Sequence, residues 1–406
     1  NTRRPGAFTP NRKGVNDDVT MQDVTSTNVA IPLNQHAEVT FMIRDVEQSY
    51  SFKDLVSLYL QEAVVAQARL IDQILLGQYS QFYSNFIGSP SGITSSTAKD
   101  LILDVRNKMN KNKAYVGGRN IIWAPNSETA VLKDESFTSA EKVGDGGSAL
   151  QNANIGYKLG FSHFMGQNAP TIGAVTPSSA GAINNSAGYA VGDTTLVVDG
   201  FSGTAVVANQ FISIAGDCYR VVSASLTSSN TTGIVIASPG LRKSVADNAV
   251  VTPITKGTVN FSAGYAAGYS GKITVSGPAI FFQAGQTVVI GTSTSSDPYT
   301  VIQADSANNT ILLDRPLDAA VANSANIHPS GAGEYNFAFH RNALAMIVRP
   351  LAPAPVGVRS AVISHNGLSM RATISYNPTK QGLQVTLDML FGVKVLDVNL
   401  GAVLIG

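Results

Sequence analysis

The stretch TTLVVDG (194–200), QFISIAG (210–216), YRVVSAS (219–225) and GIVIASP (233–239), followed by KITVSG (272–277), QTVVIG (286–291), YTVIQA (299–304) and TILLDRP (310–316), decides the fold. Each run is short and β-branched, and Gly, Ser, Asn and Asp clusters separate them. No helical period runs through them, so they predict strands of an all-β sandwich or small barrel. The unit recurs. Pairing Gln210 with Gln286 and Val251 with Ile327 gives an offset of 76, and Tyr219 with Tyr299 gives 80. Two repeated units are therefore expected.

This region is also set apart by charge. Between Thr171 and Tyr335 the sequence carries nine acids and six bases, net −3, whereas the rest is net +4. Thr171 to Tyr335 reads as an inserted domain. Over all 406 residues the chain has 28 basic and 27 acidic side chains, net +1, which does not suggest a protein living by phosphate contacts. With 44% hydrophobic residues it is not a disordered chain either. The charged fraction is 14%, against about 25% in ordinary soluble domains. Much of the surface is thus not built to face bulk water.

Outside the insert the pattern changes. Ser51 followed by Asp54 resembles a capping box and opens an amphipathic segment reaching about Asn85. Leu60, Val64, Ala68, Ile71, Leu75, Tyr79 and Phe82 fall at spacings of three and four, which predicts one buried face. A second helix is predicted from Ala98 to Asn110, capped by Thr97, with Ile102, Val105 and Met109 as its stripe. Asn120 to Ala124 reads as a strand stopped by Pro125, and Ile155, Tyr157, Leu159 and Phe161 alternate as another. After a strand at Phe337 to Phe339, a short helix is expected at Asn342 to Val348. Leu368 to Tyr376, Leu383 to Leu387 and Val393 to Leu400 predict a closing antiparallel sheet. The chain is thus α+β, interrupted by β structure.

The first fifty residues are the least globular. Arg3, Arg4, Arg12 and Lys13 come with no acid, and Asp17, Asp18 and Asp23 follow. Two extended stretches flanking Gly14 to Gln22, the second running from Val29 to Ile43, predict a long hairpin with a basic strand and an acidic tip. Such a hairpin is marginal alone in water and is expected to lie on another chain. The chain opens at Asn1 without methionine, so residues upstream are expected to be missing or removed.

Signs of chemistry are weak. His36, His163, His328, His340 and His365 stand singly, without ligand spacing. The glycines of GDGGSA (144–149) match a dinucleotide fingerprint, but no apolar strand precedes them, so a loop is expected. Neither a nucleophile elbow nor a phosphate loop occurs. Cys218, the single cysteine, sits beside Tyr219 in a predicted strand, where a buried filler is expected. Asp314, Arg315 and Asp318 read as a loop ion pair, with a carboxylate pair as the alternative. No apolar run approaches the roughly 18 residues of a membrane span. No enzyme, cofactor or metal is expected.

The order of parts then matters: polar hairpin, long helix, second helix, strand, IGYKLGFSHFMGQNAP (155–170), β insert, EYNFAFHRNALAMIVRPLAP (334–353) and FGVKVLDVNLGAVLIG (391–406). Taken together this resembles the major capsid proteins of tailed bacteriophages, with the Hong Kong 97-like fold, in the podovirus coat subgroup that carries an inserted β domain. The resemblance implies residues 1–50 as an extended E-loop, 51–170 as a peripheral domain with spine helix and first part of the axial domain, 171–335 as the insertion domain, and 336–406 as the remainder. It implies hexamers and pentamers closing an icosahedral shell around double-stranded DNA, assembled in the host cytoplasm. Scaffolding protein, portal and a decoration protein would be its partners, with no membrane. Arg3, Arg4, Arg12, Lys13, Asp17 and Asp18 become candidates for contacts between subunits, and the insert, net −3, is expected to face outward or bridge subunits. The rival readings are an encapsulin-like nanocompartment, a secreted β-rich adhesin or carbohydrate-binding protein and, more distantly, a glycosidase.

Overall fold

The computed structural model describes residues 2–5, 8, 10–15, 18–23, 26–50, 55–89, 92–139, 151–175, 179–201, 206–228, 231–237, 240–276, 282–291, 298–355, 358–365 and 368–406. The predicted loop 144–149 and the capping pair Ser51 and Asp54 lie outside them. Backbone contacts divide the chain into two units, Asn1–Val56 with Leu344–Leu396, and Ser57–Ala343 with Asp397–Gly406.

The first unit is built on the 14-residue strand Gly382–Val395. Gln35–Arg44 pairs along one edge, from Gly382 opposite Arg44 to Phe391 opposite Gln35. Leu368–Asn377 and then Leu344–Arg349 pair along the other, and Arg359–His365 follows beyond Leu368–Asn377. Alternation sends Ala37, Ile43, Val385, Leu387, Met389 and Phe391 to the buried side. A separate two-stranded sheet pairs Thr2–Pro5 with Ser26–Val29.

Three segments depart from the predicted pattern. Val29 to Ile43 is not one flank of a single hairpin: it breaks after Val29, and Gln35–Arg44 joins the five-stranded sheet, where ten ladder pairs outweigh the short arm. Asn342 to Val348 is not a helix. Leu344–Arg349 is a strand, because its β-branched residues find ladder partners in Leu390 to Val395. The run Val393 to Leu400 is broken too: the Asp397 carboxylate accepts from Asn399 N at 3.0 Å, turning Val398–Leu400 into a 3-10 turn and sending Gly401–Ile405 into the second unit.

In the second unit a mixed sheet runs in the order Phe86–Gly88, Gly401–Ile405, Gly333–His340, Arg119–Trp123, Phe161–Met165 and Tyr157–Lys158, with Thr171–Ile172 beside Gly333 and Glu334. Gly401–Ile405 is buried at every residue, which explains its unbroken apolar run. The helix Ala98–Lys111 presents Ile102, Val105 and Met109 to Trp123, Ala402 and Leu404. Thr97 precedes it without capping it, because its hydroxyl accepts from Thr94 N at 3.1 Å instead. Ile155 to Phe161 is a hairpin, not one strand: Leu159 and Gly160 both take positive φ, 52° and 88°, and close a two-residue turn between Lys158 and Phe161.

The long helix spans Leu55–Gly77 and continues as a 3-10 segment, Gln78–Asn85. Its buried stripe is Ala63, Gln67, Ile71 and Ile74, while Val64 and Ala68 are exposed. The buried face is rotated from the predicted one, because Gln67, a polar residue that hydropathy assigns outward, is fully buried.

Between Gly181 and Pro329 the chain forms two closed six-stranded barrels. The first contains Gly181–Ile183, Thr195–Asp199, Phe211–Ile214, Asp217–Ser228, Thr231–Ile236 and Val250–Pro253; the second contains Gly257–Val259, Ile273–Ser276, Thr287–Ile290, Tyr299–Asp305, Thr310–Leu313 and Asn326–Pro329. Closure leaves no unpaired edges. Their details correspond at an offset of 76. Tyr189 bridges Val245 and Tyr265 bridges Val321. Tyr189 OH accepts from Val197 N at 2.9 Å, and Tyr265 OH from Thr274 N at 2.8 Å, the donor here one position further on, at 77. Gln210 Nε2 donates to Ile254 O and Gln286 Nε2 to Ser330 O. Gly188 and Gly264, at φ +67° and +63°, each bring the backbone where a Cβ would lie 2.5 Å from the carbonyl oxygen of Val245 or Val321. A side chain at either position would collide with that carbonyl.

Candidate functional site

Most of the groups that could carry chemistry are buried singly, and His36 is exposed. Trp123 Nε1 donates to His163 Nδ1 at 3.0 Å, and His163 Nε2 faces Lys158 O at 3.1 Å. Burial lowers the His163 imidazole to about 4, and His328, desolvated near Lys256 and Arg220, is also lowered to about 4. Desolvation lowers His340 too. His36 sits 3.5 Å from Asp388, which Arg371 Nε engages at 2.9 Å. Cys218 is buried and its thiol is pushed up to about 11 by desolvation, so it is not poised as a nucleophile. Among the described residues no group of three His, Cys, Asp or Glu could hold a metal, and no helix is long and apolar enough to cross a membrane.

The pH dependence of the histidines has a defined sign. A folded-state value near 4 against an ordinary 6.5 means that the unfolded chain binds the proton first. Both histidines' contribution is intact above pH 6.5 and is lost as pH falls from 6.5 through 4. Trp123, the only tryptophan, stacks on His163 at an interplanar angle of 4° and reports the event. Its fluorescence should stay constant from pH 7 to 5 and change near 4; a midpoint near 6.5 would contradict the burial argument.

A dense polar construction joins the 3-10 segment to the second barrel. Tyr79 OH donates to Gly285 O at 2.9 Å and accepts from Thr287 Oγ1 at 2.9 Å, while its ring lies 4.7 Å from that of Tyr335. Thr300 Oγ1 donates to Gly77 O at 2.7 Å, and Gln81 Nε2 to Pro298 O at 3.1 Å. Asp314 is fully buried; it accepts from Thr300 N at 2.8 Å and Gln78 Nε2 at 3.2 Å, and Arg315 Nη1 lies 3.3 Å away. Burial raises the Asp314 carboxyl and the Arg315 guanidinium opposes this. Arg315 also reaches Asp318 at 3.4 Å, so these three residues form an ion-paired group. Gln78 carries no signal in the sequence, because a polar residue in an amphipathic segment has the pattern of a solvent-facing one.

The first barrel meets the helical core differently. Arg242 lies 4.5 Å from the Phe86 ring centroid and 4.4 Å from that of Tyr219, and its Nη2 donates to Cys218 O at 2.8 Å. A second buried polar group holds the helix Pro125–Leu132. Glu334 accepts from Asn126 Nδ2 at 2.6 Å, Ser127 N at 2.8 Å and Ser127 Oγ at 2.6 Å, filling the amide cluster at that helix start.

The arm is the opposite case. Arg3 and Arg4 lie opposite Asn28 and Thr27 in its short ladder. Arg12, Lys13 and Asp18 are exposed in the connecting segment, with no ion pair to a described residue; Asp17 lies outside the described residues. Val15, Val19 and Met21 are 100%, 74% and 92% exposed. One copy of the chain leaves these apolar side chains in water.

No protein-family model matches the sequence, and no curated protein does. Solved structures with some likeness include one of Mycobacterium phage Che8, at a TM-score of 0.47 and 10% identity, covering 99% of this chain and 83% of that one. The capsid structure of cyanophage P-SCSP1u gives 0.46 at 10% identity, covering 99% and 81%. The mature capsid of bacteriophage PhiM1 gives 0.43 at 8% identity, covering 100% and 80%.

Proposed function

We propose that the chain is the major capsid subunit of a tailed phage, with a Hong Kong 97-like fold, and that its copies form the hexamers and pentamers of an icosahedral shell around double-stranded DNA. The observation that carries this is the arm. A two-stranded ladder of four residue pairs cannot hold itself in water, and its connecting segment exposes apolar side chains that only a neighbour can cover. In this reading the arm is the E-loop, Leu55–Gly77 is the spine helix, and the two barrels form an insertion domain lying outward or between subunits. The work done is association, with no catalytic step. Scaffolding protein and portal belong to the same reading.

Negative-stain microscopy of the purified chain is the test: closed particles are expected, and a stable 42.5 kDa monomer at all concentrations would exclude a shell subunit. Arg3, Arg4, Arg12 and Lys13 are assigned ion pairs with acids of an adjacent subunit. Changing all four to alanine should leave the fold intact and give fewer or more fragile particles in sedimentation; particles of normal yield and heat resistance would remove that assignment.

A further inference from the structure

We propose that the acidic, apolar segment from Asp18 to Asp23 of one copy docks into the cleft between the helix Ala98–Lys111 and the first barrel of a second copy. The proposal rests on the shell-subunit reading and names the receptor for its arm.

The cleft has a volume of about 530 Å³, within the range of roughly 300–1,000 Å³ in which proteins hold ligands. Phe86, Leu101 and Leu241 give it an apolar lining. Four cations line it, Lys108, Lys111, Arg242 and Lys243, against two acids, Asp104 and Asp217. Asp217 is buried and already engaged, 3.6 Å from Arg242 and 3.3 Å from Lys243. Asp104 stands one helical turn from Lys108, so the cleft carries a positive surplus at the end of the helix.

The arm offers the complementary pattern. Val19 and Met21 are two residues apart, so an extended chain places them on one face, and both are largely exposed. Asp23 shares their face and Asp18 precedes them on the alternate one, the two about 17 Å apart in extended backbone. Met21 is unbranched and fits an irregular apolar floor. The segment therefore brings two apolar side chains and the Asp23 carboxylate on one face, with the Asp18 carboxylate at its leading edge, to an apolar floor rimmed by lysines, with opposite charges that fix orientation.

Charge reversal tests it. Lys108→Glu with Lys111→Glu should lower the assembled fraction about tenfold, Asp18→Lys with Asp23→Lys should do the same, and combining all four should restore most of it. Far-UV dichroism and Trp123 fluorescence should stay unchanged in each. In a second experiment, Met21→Cys with Ser89→Cys, in a chain whose native Cys218 is buried, should yield disulfide-linked dimers and higher multiples on oxidation. Reversed variants that assemble normally, a combination that fails to restore assembly, a cystine formed within one chain, or no cystine would each overturn the docking. If the unmodified chain forms no particles, the shell reading fails and the docking with it; if it forms them and only these outcomes fail, the docking alone is wrong.

Discussion

Tyr79→Ala is expected to cost about 3–5 kcal/mol and to free the second barrel from the helical core. Tyr79 has no exposed surface, so truncation leaves a cavity, and Tyr335 loses its ring contact at 4.7 Å, keeping those with Tyr83 and Phe86 at 6.5 and 6.4 Å. The Gly285 carbonyl and the Thr287 hydroxyl also lose their shared partner. Tyr79→Phe keeps the ring and removes only those bonds, for about 1–3 kcal/mol. The readout follows from the position of Trp123, which lies in the mixed sheet and not in a barrel. Calorimetry of Tyr79→Ala should resolve an early transition without a change in Trp123 fluorescence, followed by the transition of the core. A single transition at the unmodified temperature would mean that Tyr79 does not couple the two.

Glu334→Ala is expected to destabilise the core by about 3 kcal/mol, because it strands the buried Ser127 N–H and the proton of the Ser127 hydroxyl and removes the acceptor of the exposed Asn126 amide. The Ser127 hydroxyl is further tied to Asn336 Nδ2 at 3.0 Å, and Asn336 Oδ1 accepts from Ala124 N at 2.7 Å, so the loss spreads through one network. Glu334→Gln should cost roughly half as much: its oxygen can still accept from Ser127, but its amide would face the Asn126 amide, donor against donor. Urea unfolding followed by Trp123 fluorescence measures both. Equal midpoints for the alanine variant and the unmodified chain would show that water replaces the carboxylate.

Legibility differed from place to place for physical reasons. The helix Ala98–Lys111 was readable because Ile102, Val105 and Met109 all bury at the predicted spacing. The long helix was readable in extent and misread in orientation, since Gln67 is inside and Val64 outside. Leu344–Arg349 is apolar enough for either a helix or a strand, and only the facing residues Leu390 to Val395 decide it. The pieces of the junction, Gln78, Tyr79, Asp314 and Thr300, are more than two hundred residues apart in part, and no local pattern announces them.

By itself the sequence determined the α+β composition, the β character of the region from Thr171 to Tyr335, and the segregation of charge in the arm, because periodicity and composition are local quantities. Tertiary structure decided which strands close on which, where Glu334 and Asp314 find their donors, and that Phe86, Leu101 and the lysines at the end of their helix share a cleft with Leu241. Those depend on chain closure across long separations, and side chains carry no mark of the partner they will meet there.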